Sequence, residues 1–177
     1  MSSKFFNNTD SPLIDKFRGI AHNMHDFHTF QAVVGYFRSS GYFKLRKELG
    51  DVKTIQILVG INIDDIFRKH DKSLLMLGGE DEAKEKYTHD FIQDVLDAKY
   101  SQEVEEGILQ LCDDLANGVV ELRIHKSKNL HAKFYMCLPE EHNENTDGWV
   151  IMGSSNISES GLGITKPPRY ELNVAMK

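Results

Sequence analysis

Residues 130–136 read Leu-His-Ala-Lys-Phe-Tyr-Met and, after a polar excursion over 138–148, residues 149–156 read Trp-Val-Ile-Met-Gly-Ser-Ser-Asn. Two apolar runs rich in β-forming residues flank a loop, which predicts a hairpin or a pair of neighbouring strands. Alternate side chains of a strand share a face, so His131 and Lys133 are expected to point the same way. Gly153, Ser154, Ser155 and Asn156 stand where the second run ends and the chain turns. An imidazole, an ammonium and short polar groups can meet there around one anion. Lys133 brings a compact positive charge, while Ser154 and Asn156 bring neutral donors. Such a set can hold a phosphate and stabilise the charge that grows when phosphorus is attacked. Histidine, with an unperturbed pKa of about 6.5, serves near neutrality as nucleophile or as acid–base.

His-x-Lys followed by Gly-Ser-x-Asn resembles the half-motif of the phospholipase D superfamily, which also contains nucleases. His-x-Lys alone recurs by chance; joined to Gly-Ser-x-Asn at the end of the next apolar run it is specific, and it counts only in that structural context. The resemblance implies an active site built from two His-x-Lys halves. One histidine attacks phosphorus to give a phosphohistidine; the other protonates the leaving oxygen and then activates water. No metal or other cofactor is expected. In this chain the resemblance gives His131 the role of nucleophile or acid. Lys133, Asn156 and Ser154 would bind phosphate, with Ser155 beside them. Glu171, in Tyr-Glu-Leu-Asn-Val, would orient His131 through Nδ1–H, with Glu159 a weaker alternative. The family's motif also carries an Asp five residues after the Lys, where this chain has Leu138. That departure leans toward nucleases over lipases and leaves room for an inactive domain.

At 177 residues the chain is long enough for one domain with a sizeable core. Its net charge of −6 excludes a generally basic surface but not a local one. Arg123, His125, Lys126, Lys128 and Lys133 crowd into the approach to the motif, and Arg123 and Lys128 are expected to meet a polyanion. Cys112 and Cys137 have no metal-ligand spacing and read as reduced thiols, which fits a cytoplasmic protein. No apolar run reaches the roughly 20 residues of a membrane span, and the first residues lack a signal-peptide core.

Ser11-Pro12 reads as an N-cap and first turn, with Leu13, Ile14, Phe17, Ile20, Met24 and Phe27 at helical spacing after it. His22, His25 and His28 recur every three residues along this predicted helix, without the Cys or acidic partners of a metal site. Residues 31–37 and 54–61 read as strands joined by a helix over 42–49, a parallel crossover unit. The Val-Val-Gly-Tyr-Phe run, the serines after it and Ile-Leu-Val-Gly resemble the start of phospholipase D-like domains at the ends of helicases and restriction-type enzymes. Residues 64–117 read as mostly helical and acidic, and include a second His-x-Lys at His70 and Lys72 with no Gly-Ser-x-Asn after it. Residues 119–124 and 169–176 read as further strands.

The expected fold is α/β: a mixed, mostly parallel sheet with helices on both faces, a single phospholipase D-like domain over 1–177 that forms part of a longer chain. The expected function is metal-independent phosphodiester cleavage on nucleic acid, DNA in preference to RNA, by the N-terminal module of a helicase. With one complete half-motif, a symmetric homodimer is expected to bring two copies of His131 and Lys133 together. The alternatives are an inactive nucleic-acid-binding module and a phospholipid-headgroup enzyme; no basic amphipathic segment supports a membrane partner.

Overall fold

The β-branched run at 54–61 forms the strand β3 (Thr54–Ile63), which lies between β2 (Phe27–Phe37) and β4 (Val120–Ile124) and is parallel to both. The computed structural model describes residues 4–63, 102–125 and 130–177. On the other side of β2 the sheet continues through β5 (Phe134–Pro139), β6 (Trp149–Gly153), β7 (Leu172–Met176) and β1 (Phe5–Asn7). The order is β1-β7-β6-β5-β2-β3-β4.

The sheet is mixed, but the expected parallel majority is not found: the β2–β3 and β3–β4 ladders are parallel, and β2–β5, β5–β6, β6–β7 and β1–β7 are antiparallel. The reason lies in the connections. A parallel return needs a crossover of about a dozen residues or more. α2 (Ser39–Glu48) supplies one between β2 and β3, whereas only the polar residues 140–148 join β5 to β6.

Three further boundaries differ from the sequence reading. The first helix, α1 (Leu13–Asn23), stops well before Phe27, which opens β2. His22 and His25 are exposed, and His28 lies in β2 with Nδ1 3.1 Å from Thr29 Oγ1. The start of α1 is tied by Asn8 and not by Ser11: Leu13 N–H donates to Asn8 Oδ1 at 3.2 Å, while Asn8 Nδ2 donates to Gly161 O at 2.8 Å. One buried amide thereby joins the N-terminal segment to the turn around α4 (Glu159–Leu162).

Alternation along the strands selects the core. Phe30, Ala32 and Val34 of β2, Ile55, Ile57 and Val59 of β3, and Tyr135 and Cys137 of β5 are buried, while Gln31, Val33, Phe134 and Met136 are half-buried. α1 presses Phe17 edge-on into Phe30 and Tyr135, at 5.4 and 5.2 Å between ring centroids. Each such fully buried large apolar side chain stabilises the fold by about 1.5–3 kcal/mol. α2 brings Tyr42 against Phe37, and α3 (Gln102–Ala116) brings Leu111 to the same cluster. These described helices cover one face of the sheet. Of the helices expected on the other face, the candidates in 64–101 lie outside the described residues, as do His70 and Lys72.

α2 and α3 are also locked by charge. Asp114 is buried; it accepts from Arg46 Nε at 2.6 Å and Nη2 at 3.1 Å, and from Gln110 Nε2 at 2.9 Å. The hydrogen bond to Asp114 is the main reason the Arg46 guanidinium is raised above its ordinary pKa. Asp114→Ala takes the carboxylate from the half-buried Arg46 guanidinium, which keeps its bond to Gly50 O, and is expected to cost about 1–3 kcal/mol in urea unfolding. The Arg46→Met, Asp114→Leu double substitution should recover most of that loss.

Candidate active site

The site forms where the parallel strands β2 and β3 end. β2 carries an irregularity between Val34 and Tyr36, so that Val34 pairs with Val59 and Tyr36 with Asn62. Gly35 and Gly60 lie on adjacent strands at this point, and the Leu130–His131 backbone passes against them. A Cβ at Gly60 would sit 2.5 Å from Leu130 O; one at Gly35 would sit 3.3 Å from His131 Cα and 3.4 Å from His131 Cδ2. A side chain at Gly60 is excluded by the chain that brings His131 in, and one at Gly35 would press tightly on that chain.

His131 and Lys133 precede β5 rather than lie within it, though the ladder begins early: Gly153 N–H donates to Lys133 O at 3.3 Å. The shared face expected from spacing becomes a division of burial. His131 is exposed, while Lys133 is 7% exposed and turns its ammonium back to His131 O at 2.8 Å. Desolvation lowers the Lys133 pKa below its ordinary value, and the nearby Glu171 carboxylate opposes the shift.

Asn156 reaches the same place from the turn after β6. Its Oδ1 accepts from Tyr36 N–H at 2.9 Å, and the following residues run parallel to β2, with Arg38 N–H donating to Ile157 O at 2.8 Å. Holding Oδ1 on the backbone leaves the Asn156 amide NH₂ as the donor available to an anion. His131, Lys133 and Asn156 therefore converge on the end of β2.

Ser154 is exposed and donates to Glu171 Oε2, while its Oγ accepts from Leu172 N–H at 3.1 Å. Arg169 Nε lies 3.8 Å from Glu171 Oε1. Glu171 is thus beside the site, held by Ser154 and acting electrostatically on Lys133. Ser155 is wholly buried: its Oγ accepts from Asn173 Nδ2 at 2.9 Å, and its carbonyl accepts from Tyr135 Oη at 2.7 Å. It braces the turn from below, not from the side open to a ligand. Glu159 opens α4, in the turn after Asn156. Arg123, on β4, is exposed and donates to Glu121 at 2.7 Å. β2 and β3 separate its strand from β5, so it lies outside the cluster formed by His131, Lys133 and Asn156. Lys128 lies outside the described residues.

Sequence reasoning passed over Gly35, Gly60, Tyr135 and Asn173 as parts of the site. A glycine near the end of each adjacent parallel strand was the available signal, since glycine within a strand marks close backbone approach. Buried braces such as Tyr135 carry no separate sequence signature.

Neither a protein-family model nor a curated protein matches the chain. Among solved structures it is similar to yeast tyrosyl-DNA phosphodiesterase, with a TM-score of 0.49 and 12% identity over 98% of this chain and 31% of that one. Two mutant forms of the yeast enzyme align at TM-scores of 0.49 and 0.47, each at 12% identity, over 97% and 93% of this chain. The chain spans about three-tenths of the length of these structures.

Within the core of β5, burial pushes the Cys137 thiol up to about 12 and raises the Tyr135 phenol as well. Both groups stay protonated in the folded chain at pH values where the unfolded chain ionises them. The stability this represents is fully present below the ordinary thiol value of 9.0 and is lost as pH rises toward about 12. Cys137→Ala should therefore flatten the decline of urea midpoints over that window, without abolishing it while Tyr135 remains.

Proposed function

We propose that this chain is a phospholipase D-like phosphodiesterase acting on nucleic acid, DNA in preference to RNA, through a phosphohistidine intermediate and without a metal. The observation that carries this reading is the convergence of His131, Lys133 and Asn156 on the end of β2. His131 is exposed there, its carbonyl holds the desolvated Lys133 ammonium, and the Asn156 amide is tethered to Tyr36 N–H.

The roles follow from placement. The Lys133 ammonium, fixed by His131 O, is a preorganised charge for a non-bridging phosphate oxygen. The Asn156 NH₂ donates to the same phosphate, and Ser154 lies at its margin. His131 attacks phosphorus: a nitrogen–phosphorus bond forms and the bond to the leaving oxygen breaks. A second histidine gives that oxygen a proton, then takes one from the water that hydrolyses the intermediate. Dividing the displacement into two steps lets one site make and destroy the covalent species. Glu171 orients the cluster through Ser154 and Lys133, and reaches His131 when a substrate reorders these contacts.

The second histidine comes from a second copy. A two-fold axis beside the site pairs identical patches, so two half-sites make one centre. In a longer chain the module would serve a helicase motor by acting on the strand that the motor handles.

Two measurements test this. Labelled single- and double-stranded DNA should be cut in excess EDTA by the intact protein, and His131→Ala should lower the rate by about 10²–10⁴-fold. Salt-sensitive binding without cutting by either protein would leave an anion-docking module instead. Sedimentation should give a dimer at micromolar concentration, and mixing His131→Ala with Lys133→Ala chains should not restore two intact half-sites. An active monomer would refute the shared centre.

A further inference from the structure

We infer that Asn173 is a positioning residue of this site, whose unpartnered side-chain oxygen accepts a hydrogen bond from the Lys133 ammonium when a phosphate is bound. The inference rests on the phosphodiesterase reading above and deepens it by naming what holds the phosphate-binding cation in place.

Three observations carry it. Asn173 is 2% exposed, and among the described residues its Oδ1 is a buried side-chain oxygen with no hydrogen-bond partner. Nδ2 of the same amide donates to Ser155 Oγ at 2.9 Å, so turning the amide over would exchange one unpartnered group for another. Oδ1 lies over the bare Cα of Gly153, where a Cβ would collide with it. Gly153 is also the residue beside Lys133: it pairs with Asn173 across β6 and β7, and its N–H donates to Lys133 O at 3.3 Å. Lys133, Gly153 and Asn173 therefore form one row across three strands, with a buried side chain at each end and none between. Two strand spacings put the outer Cα atoms about 9.6 Å apart. The four-carbon stem of the lysine and the amide that already lies over Gly153 can close that gap.

The chemistry fits an ammonium. Lysine has three donors. One goes to His131 O at 2.8 Å, and one is for the phosphate. The third needs an acceptor from the protein, because Lys133 is buried away from water. The nearby Glu171 carboxylate is engaged by Ser154. A neutral amide oxygen orients the ammonium without cancelling the charge that the phosphate is to meet. An acceptor left empty in the free site also favours the bound arrangement, since a buried polar group without a partner is costly and the new bond removes that cost. Ser155 ties the same amide to the turn that carries Asn156, so both phosphate-binding donors are set by one brace.

The test crystallises the full chain with inorganic phosphate. Lys133 Nζ should lie about 2.7–3.2 Å from Asn173 Oδ1. Phosphate bound beside Lys133 with Oδ1 still empty, or taken by a water, overturns the inference while the function stands. No phosphate at His131, Lys133 and Asn156 overturns both. In solution, phosphate affinity is followed from pH 8 upward, where the charge of an ammonium governs binding. Asn173→Leu keeps the branched shape but cannot accept, and should weaken binding about tenfold. Binding should also fade at a lower pH than in the parent, because an ammonium without its acceptor gives up its proton sooner. Asn173→Asp retains an acceptor, and its binding should fade at the parent's pH or above. A loss in Asn173→Leu that is equal at every pH marks a structural brace alone and counts against the inference. Where Asn173→Leu does not fold, the phosphate-bound structure of the parent decides by itself.

Discussion

Two hydrogen atoms where other residues carry side chains decide the geometry of this protein. At Gly60 a methyl group would stand 2.5 Å from the Leu130 carbonyl oxygen, and at Gly35 it would meet the His131 backbone at 3.3 Å. The segment leading into β5 can cross this end of the sheet because Gly60 is bare, and it lies close on β2 because Gly35 is bare too. That crossing puts His131 above the parallel pair and starts β5 on the far side of β2, antiparallel to it. The position of β5 then determines where β6, β7 and the Asn156 turn can lie.

The sequence patterns reported what local chemistry controls. β3, with β-branched residues on both faces, and the β5–β6 pairing were legible because strand propensity and a short polar connection suffice to specify them. The Gly-Ser-x-Asn turn was legible for the same reason. The antiparallel majority was not, because it depends on β5 being inserted beside β2, a contact between distant residues that no window of sequence contains. The end of α1 was missed because Met24 and Phe27 keep the helical period after the helix has stopped; Phe27 enters the sheet instead, and tertiary packing overrides periodicity. Ser155 looked like its neighbour Ser154, yet alternation at the strand end sends one hydroxyl outward to Glu171 and the other inward to Asn173.

Polar groups beneath the site form a second layer that holds the first. Tyr135 lies in the aromatic cluster with Phe17 and Phe30 and still places its hydroxyl on the Ser155 carbonyl, so the core and the Asn156 turn share one rigid ring. Asn173, 2% exposed, donates to Ser155 from the neighbouring strand, and among the described residues its Oδ1 is a buried side-chain atom without a hydrogen-bond partner. Leaving such a group unpaired costs about 1–3 kcal/mol. The bare Cα of Gly153 provides the space in which the Asn173 side chain sits. Orientation of the turn is thus maintained at some expense in stability.

The division between His131 and Lys133 follows from the same architecture. In the role proposed for His131, a nucleophile must reach phosphorus and later release it to water, which its exposed imidazole suits. A phosphate-binding cation gains from being fixed and partly desolvated, since its field is then less screened. Desolvation lowers the Lys133 pKa, and the Glu171 carboxylate opposes part of that shift. Ser154 secures that carboxylate without neutralising it, because a hydroxyl donates a hydrogen bond but brings no formal charge. A cation in place of Ser154 would add to Arg169 in weakening the carboxylate's effect on Lys133, and an apolar residue would leave Glu171 with Arg169 but without the hydroxyl's hydrogen bond. A small neutral donor at this position satisfies both requirements, which gives a physical reason for serine in the Gly-Ser-x-Asn pattern.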